Sequence, residues 1–153
     1  MAEAASETVL SSRYGNPLFA QLAKVGLALL AVVRGDVASA KQYYHSLDMS
    51  PGLDALGSLA SGRILGLLGQ TIGELDEAGA YFEDAMTFCR KATCRPELAW
   101  TCCDYADMLK ERDAEGDRAK AISLPDESLA ISSELGMRPL MERVLSRREI
   151  LKA

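Results

Sequence analysis

The sequence of 153 residues has one histidine, few aromatic residues and no excess of basic charge. His45 alone cannot supply several imidazole ligands, and no nucleophile, base and orienting group can be assembled around it. The formal net charge of -5 and the pI of about 4.9 show no excess of basic side chains of the kind that binds nucleic acid. We therefore predict a protein that is not an enzyme, has no catalytic residues, needs no metal or cofactor, and does not bind nucleic acid directly.

We also expect no targeting segment. Its first residues include Glu3 and Glu7 and show no basic stretch followed by an apolar one, so they do not resemble a signal peptide. The most apolar stretch, residues 18–33, is interrupted by Gln21 and Lys24 and is short for crossing a bilayer comfortably. We expect a cytoplasmic protein without membrane contact, in which residues 1–15 form a flexible N-terminal segment.

The cysteines and the paired acids both fall short of a metal site. The four cysteines, at 89, 94, 102 and 103, lack the paired short gaps of zinc sites. We interpret them as buried or half-buried thiols in a reducing compartment. Asp104 and Asp107 have the spacing of bundle metal ligands but no accompanying histidine, so we predict a solvated helix face. The basic residues of the last helix, Arg143, Arg147 and Arg148, are likewise predicted to face solvent.

What the sequence does contain is a repeat. Gly35-Asp36, Gly73-Glu74 and Gly116-Asp117 recur at intervals of about 40 residues, which is typical of stacked helical pairs. Each pair is followed by an alanine and then a bulky residue at the same spacing. In such a repeat the glycine permits the turn between two antiparallel helices, and the alanine lets them approach closely.

Local signals mark the ends of the helices. Asn16-Pro17 predicts a helix start and Leu135-Gly136 a helix end. Glycines at 62, 66, 69 and 73 lie on one side of a helix and predict that another helix crosses there closely. Pro125 predicts a kink or a short break near Leu124. No segment alternates long enough to build a sheet, so we predict an all-α fold of about seven helices, in antiparallel pairs stacked as a short α-solenoid.

Six segments between Gly57 and Met137 carry a family resemblance: RILGLL (63–68), EAGAYFEDA (77–85), RPELA (95–99), DYADML (104–109), GDRAKA (116–121) and LGM (135–137). Through them this stretch resembles the tetratricopeptide (TPR)-like C-terminal region of large bacterial signalling proteins, namely nucleotide cyclases and LuxR-type transcriptional regulators that contain an ATPase module. The resemblance implies a TPR-like helical-repeat domain over residues 16–153 that acts in signal transduction or transcription regulation. The chain departs from the family at Pro125, and it contains no cyclase, ATPase or winged-helix segment, so we expect a fragment of a larger regulator, a remnant gene or a free-standing adaptor.

Stacked helical pairs create a concave groove that binds a protein or peptide partner. We predict that Tyr44, Phe82 and Trp100 point inward. The predicted partner-binding residues of the groove are Lys24, Tyr43, Arg63, Gln70, Tyr81 and Asp107. The alternative function is a small-molecule or signal-peptide sensor with its ligand in the same groove. Because so few repeats leave apolar ends, we also expect homodimerisation, or docking onto a neighbouring domain, through residues 18–33.

Overall fold

The computed structural model describes residues 2–12, 16–47 and 60–150, and over these residues the chain forms eight α-helices and no strand. The helices are α1 (Ala2–Ser11), α2 (Pro17–Arg34), α3 (Val37–Ser46), α4 (Ser61–Ile72), α5 (Leu75–Lys91), α6 (Arg95–Arg112), α7 (Asp117–Glu134) and α8 (Arg138–Ile150). The predicted all-α class is confirmed. The eighth helix is α1, which lies in the segment that we expected to be flexible.

Helix α1 is held in place by α2. The Oγ of Ser6 lies 3.8 Å from the position that a Cβ would take at Gly26. Near the other end of α2, Arg34 donates a hydrogen bond of 2.9 Å to Glu3. A helix of ten residues is marginal on its own in water, so packing against α2 accounts for its formation.

The chain divides into two compact units, residues 1–81 (unit 1) and residues 82–153 (unit 2), and the division falls within α5. In unit 1, α2 packs against α1, α3 and α4, and α3 packs against α4. Small aliphatic residues make up most of its core, which consists of Val25, Ala28, Ala31, Ala40, Leu47, Ile64 and Leu68. In unit 2, α7 packs against both α6 and α8.

The capping residues of unit 1 behave as predicted. The side chain of Asn16 accepts a hydrogen bond of 2.9 Å from the Leu18 N–H, and Pro17 begins α2. Asp36 accepts one of 3.1 Å from the Ser39 N–H at the start of α3. Each carboxamide or carboxylate oxygen thus satisfies a donor that a helix start leaves unpaired.

The repeated glycines are only partly equivalent. Gly35 and Gly73 both end a helix in the left-handed region, with φ of 64° and 85°. In both turns the glycine N–H and the following N–H donate to the last carbonyls of the helix. Gly116 also has a positive φ, but it precedes α7, whereas Asp113 ends α6. Gly136 matches the first two, with φ of 67° and the same hydrogen bonds at the end of α7.

The glycine-rich helix α4 does meet a neighbour closely. A Cβ built on Gly69 would lie 3.1 Å from the Cβ of Ala78 on α5, which is tighter than ordinary van der Waals contact. Ala78 is the alanine of the second repeat, and it is completely buried. The close approach predicted from the glycine spacing is therefore present at this pair.

Pro125 does not interrupt α7. The helix runs without a break from Asp117 to Glu134, so of the two outcomes predicted near Leu124 the short break is wrong, whereas the kink stays a prediction. A proline removes one hydrogen bond from a helix interior and clashes with the carbonyl four residues earlier. Tertiary packing offsets this cost, because Leu124, Pro125 and Ser128 are buried and the Ser128 hydroxyl donates a bond of 2.7 Å to the Ala99 carbonyl on α6.

By length and composition, α2 is the one helix in the described part of the chain that could cross a membrane. The core helix of a soluble protein passes the same test of length and composition. Helix α2 packs against α1, α3 and α4, and its buried residues are Ala23, Val25, Leu27, Ala28 and Ala31.

Candidate functional site

The six predicted partner-binding residues are all half-buried, as side chains at the edge of a core are. Lys24 lies on α2, Tyr43 on α3, and Arg63 and Gln70 on α4. Tyr43 packs against the core of unit 1. The remaining two, Tyr81 and Asp107, lie in different units and belong to two separate clusters, described in turn below.

Tyr81 belongs to a cluster on α3 and α5 of unit 1 that we call the tyrosine cluster: Tyr44, His45, Glu77 and Tyr81. The rings of Tyr44 and Tyr81 meet edge to face, with centroids 6.2 Å apart, and the Tyr44 hydroxyl donates a hydrogen bond of 2.7 Å to Glu77. Burial, together with this bond to a carboxylate, raises the pKa of Tyr44. His45 and Glu77 are exposed, so the cluster consists of two packed aromatic rings with exposed polar groups beside them.

Of the three aromatic residues predicted to point inward, only Phe82 is fully buried. Tyr44 is half-buried, and so is Trp100, whose ring has the Arg143 guanidinium 5.5 Å from its centroid. The second buried ring of unit 2 is that of Tyr105, stacked on Phe82 at 5.3 Å between centroids. Its hydroxyl donates a bond of 2.6 Å to Glu83, which also pairs with Lys120.

Asp104 and Asp107 do not form a solvated face, and neither do the arginines of the last helix. Asp104 is 2% exposed and lies 2.5 Å from Arg143 on α8. Arg147 pairs with Asp107, and Arg143 lies 3.8 Å from the same carboxylate. The correction has a physical cause: nearly every residue of α6 from Glu97 to Leu109 is buried, so its acids need partners from neighbouring helices.

This acid–arginine cluster contains atoms that could hold a metal ion, because Cys103, Asp104 and Asp107 each have a ligand atom within 4.8 Å of the others. The guanidinium groups of Arg143 and Arg147 already pair with the two carboxylates. Arg147 also approaches the Cys103 sulfur at 3.3 Å. Burial raises the pKa of Asp107 in spite of Arg147, Lys110 and Arg143 around it, and burial likewise raises the pKa of the Cys103 thiol. The cluster is best explained as a structural link between α6 and α8.

The thiols are placed as the sequence analysis expected. Cys89, Cys102 and Cys103 are buried, Cys94 is half-buried, and none of the four forms a disulfide. Burial raises the pKa of Cys102 well above its usual range, which opposes formation of the reactive thiolate.

The sequence analysis missed a cleft of about 470 Å³ in unit 2, bounded by α6, α7 and α8. Its walls combine aliphatic and charged side chains from Leu109, Lys110, Asp113, Arg118, Ala121, Ile122, Pro125 and Arg148. The volume lies within the range of about 300–1,000 Å³ that is usual for small-ligand sites. Only the turn between α6 and α7 and the fold of α8 bring these residues together, so no local pattern announces the cleft.

No protein-family model, curated protein or solved structure matches the chain. The resemblance to the helical-repeat region of bacterial signalling proteins therefore stays a prediction. The candidate functional surfaces are the tyrosine cluster of unit 1 and the cleft of unit 2.

Proposed function

We propose that the chain is a non-enzymatic, TPR-like helical module of the bacterial cytoplasm that binds a protein or peptide partner in signalling or transcription regulation. The observation that carries this proposal is the tyrosine cluster. Tyrosine is enriched among the residues that dominate binding energy at protein interfaces, and here two of them meet at a half-buried surface position.

The tyrosine cluster is ordered before any partner arrives. Tyr44 is fixed by its bond to Glu77 and by the ring of Tyr81, and both contacts join α3 to α5. Binding therefore does not have to pay the full entropy of ordering these side chains. The exposed His45 and Glu77 beside them offer polar groups that a partner's backbone or side chains can meet.

Two further features support the proposal. The first favours a binding role over catalysis, and the second favours an arrangement of stacked helical pairs. The buried thiols Cys102 and Cys103 have raised pKa values and are poor nucleophiles at neutral pH. The shared turn geometry of Gly35 and Gly73, followed in each case by a buried alanine, supports the first two repeats of a TPR-like stack.

The test compares protein capture by three purified forms of the chain from a bacterial cytosolic extract. Tyr81→Ala is expected to lose the partner that the unmodified chain captures, and to bind that partner, once purified, at least about tenfold more weakly by calorimetry. Leu145→Ala is the control, because it truncates an exposed apolar residue of unit 2. Circular dichroism establishes that both variants fold. Equal capture by all three forms would refute the role of the tyrosine cluster.

Exposed apolar residues of unit 1 extend the proposal to self-association. Phe19 is 58% exposed, Val33 83% and Val37 53%, so their apolar surface is available to a second molecule. We expect a homodimer through α2, which sedimentation velocity would detect and Phe19→Glu would dissociate. A monomer at all accessible concentrations would leave a different protein as the partner.

A second candidate function, a small-molecule sensor, is favoured by the cleft of unit 2. Its volume and its mixture of apolar and charged walls suit a small ligand better than a peptide.

A further inference from the structure

The lining of the cleft of unit 2 contains more cationic than acidic side chains. It includes three cationic side chains, Lys110, Arg118 and Arg148, and one acidic side chain, Asp113, although the whole chain has a net charge of -5. Two of the three cations are paired with acids outside the lining, so a single cation is left to attract an anion.

Arg118 is the cation best placed to receive such an anion. Lys110 already lies 3.5 Å from Asp107, and Arg148 pairs with Asp126. Arg118 is exposed and has no ion-pair partner among the residues that the structure describes. Its guanidinium can form two parallel hydrogen bonds with a carboxylate.

The rest of the lining is apolar. The aliphatic wall of the cleft lies on α6 and α7 and consists of Leu109, Ala121, Ile122 and Pro125. Ile122 is 57% exposed, so a ligand that covers it removes apolar surface from water. Pro125 adds to this wall without breaking α7, which gives this residue a role in the cleft.

We propose that the cleft binds a small organic anion made of a carboxylate joined to an aliphatic body, with the carboxylate on Arg118 and the body against Ile122 and Pro125. This inference rests on the second candidate function, the small-molecule sensor. It does not depend on the tyrosine cluster, which lies in the other unit.

The test is isothermal titration of the full chain with three probes. Octanoate has both the charge and the tail, 1-octanol has the tail alone, and acetate has the charge alone. We expect saturable binding of one octanoate per chain, with 1-octanol and acetate each at least about tenfold weaker. Absence of octanoate binding, or equal binding of octanoate and 1-octanol, would overturn the proposal.

Variants locate the site. Arg118→Gln and Ile122→Ser should each weaken octanoate binding by about tenfold, and because both residues are exposed the fold should survive, as circular dichroism would verify. Arg138→Gln is the matched control, since Arg138 is an exposed arginine of α8 outside the cleft. If Arg118→Gln and Arg138→Gln bind octanoate equally well, the cleft is not the site. Capture of a partner through Tyr81 is measured separately, so either proposal can fail alone.

Discussion

The two units of the chain have different kinds of side chains in their cores and on their surfaces. Of the large side chains that are fully buried in the described part of the chain, unit 1 contributes Ile64 and Leu68, whereas unit 2 contributes a larger set: Phe82, Met86, Met108, Leu109 and Leu140. Among the described residues, most of the exposed large apolar side chains lie in unit 1, and most of the buried polar ones lie in unit 2. Unit 1 thus relies more than unit 2 on small residues and close backbone approach, and several of its larger apolar groups stay at the surface. Unit 2 relies on large side chains and directional polar bonds.

This contrast matches the two proposed roles. A surface that keeps Phe19, Val33 and Tyr81 at least partly exposed can contact another protein. A unit whose helices are joined by ion pairs can hold a cleft open with charged groups in fixed places. The following substitutions test the contrast, beginning with the largest expected effect.

Phe82→Ala should lower the free energy of unfolding by about 3–5 kcal/mol, because it leaves a cavity beside Tyr105 in the core of unit 2. Urea titration followed by far-UV circular dichroism measures the loss. Phe19→Ala in unit 1 is the matched control, measured at a protein concentration at which the chain is monomeric, and should change stability by less than about 0.5 kcal/mol, since Phe19 is mostly exposed in the single chain. Equal losses would contradict the different construction of the two units.

Arg143→Met should cost about 1.5–3 kcal/mol, because it removes a charged donor from the buried Asp104. The double variant with Asp104→Asn should recover part of this loss, since no buried charge is then left without its arginine. The comparison in unit 1 is Arg34→Met, which breaks an exposed pair with Glu3 and should have no measurable effect. Additive losses at Asp104 and Arg143 in a double-mutant cycle would contradict their coupling.

The features that were predictable from the sequence are those that depend on neighbouring residues. Asn16, Asp36, Gly35 and Gly73 cap helices through bonds to residues within five positions, so the sequence alone reveals them. Gly116 shows the limit of this approach, because the longer turn before α7 moved the same glycine to the other end of the connection.

The features that could not be predicted depend on which helix becomes buried among the others. Helix α6 is buried on all sides and has no single apolar stripe, so its acids looked solvated in the sequence. The sequence did hold one usable signal. Asp104 and Asp107 have the spacing of neighbours on a helix, and so do Arg143 and Arg147. Opposite charges at such spacing on two helices favour ion pairs between them. The cleft had no such signal, because three helices and a turn must fold before its lining exists.

Gly69→Val should destabilise unit 1 by about 1–3 kcal/mol, because the added methyl groups have no room beside Ala78. Combining it with Ala78→Gly should relieve part of the crowding. Gly26→Ala is the control: its new Cβ would meet only ordinary contact, so helix propensity should stabilise the chain by up to about 1 kcal/mol. Thermal unfolding measures all three. A neutral Gly69→Val would mean that close helix approach is not what holds this unit together.

The smallest predicted effect concerns a turn that occurs in both units and has threonine instead of glycine at one place in unit 2. Thr93 ends α5 with φ of 57°, and its turn has the same pattern of hydrogen bonds as the turns at Gly35 and Gly73. A β-branched residue is strained in the left-handed region and glycine is not. Thr93→Gly should therefore stabilise the chain by about 1 kcal/mol, and Gly73→Ala should destabilise it by a similar amount. Because a Cβ at Gly73 would meet no atom within 4 Å, the loss there would come from backbone conformation alone. If Thr93→Gly were neutral or destabilising while Gly73→Ala was harmful, the two turns would differ in energy despite their shared geometry, and backbone conformation would not be what sets the cost of a side chain there.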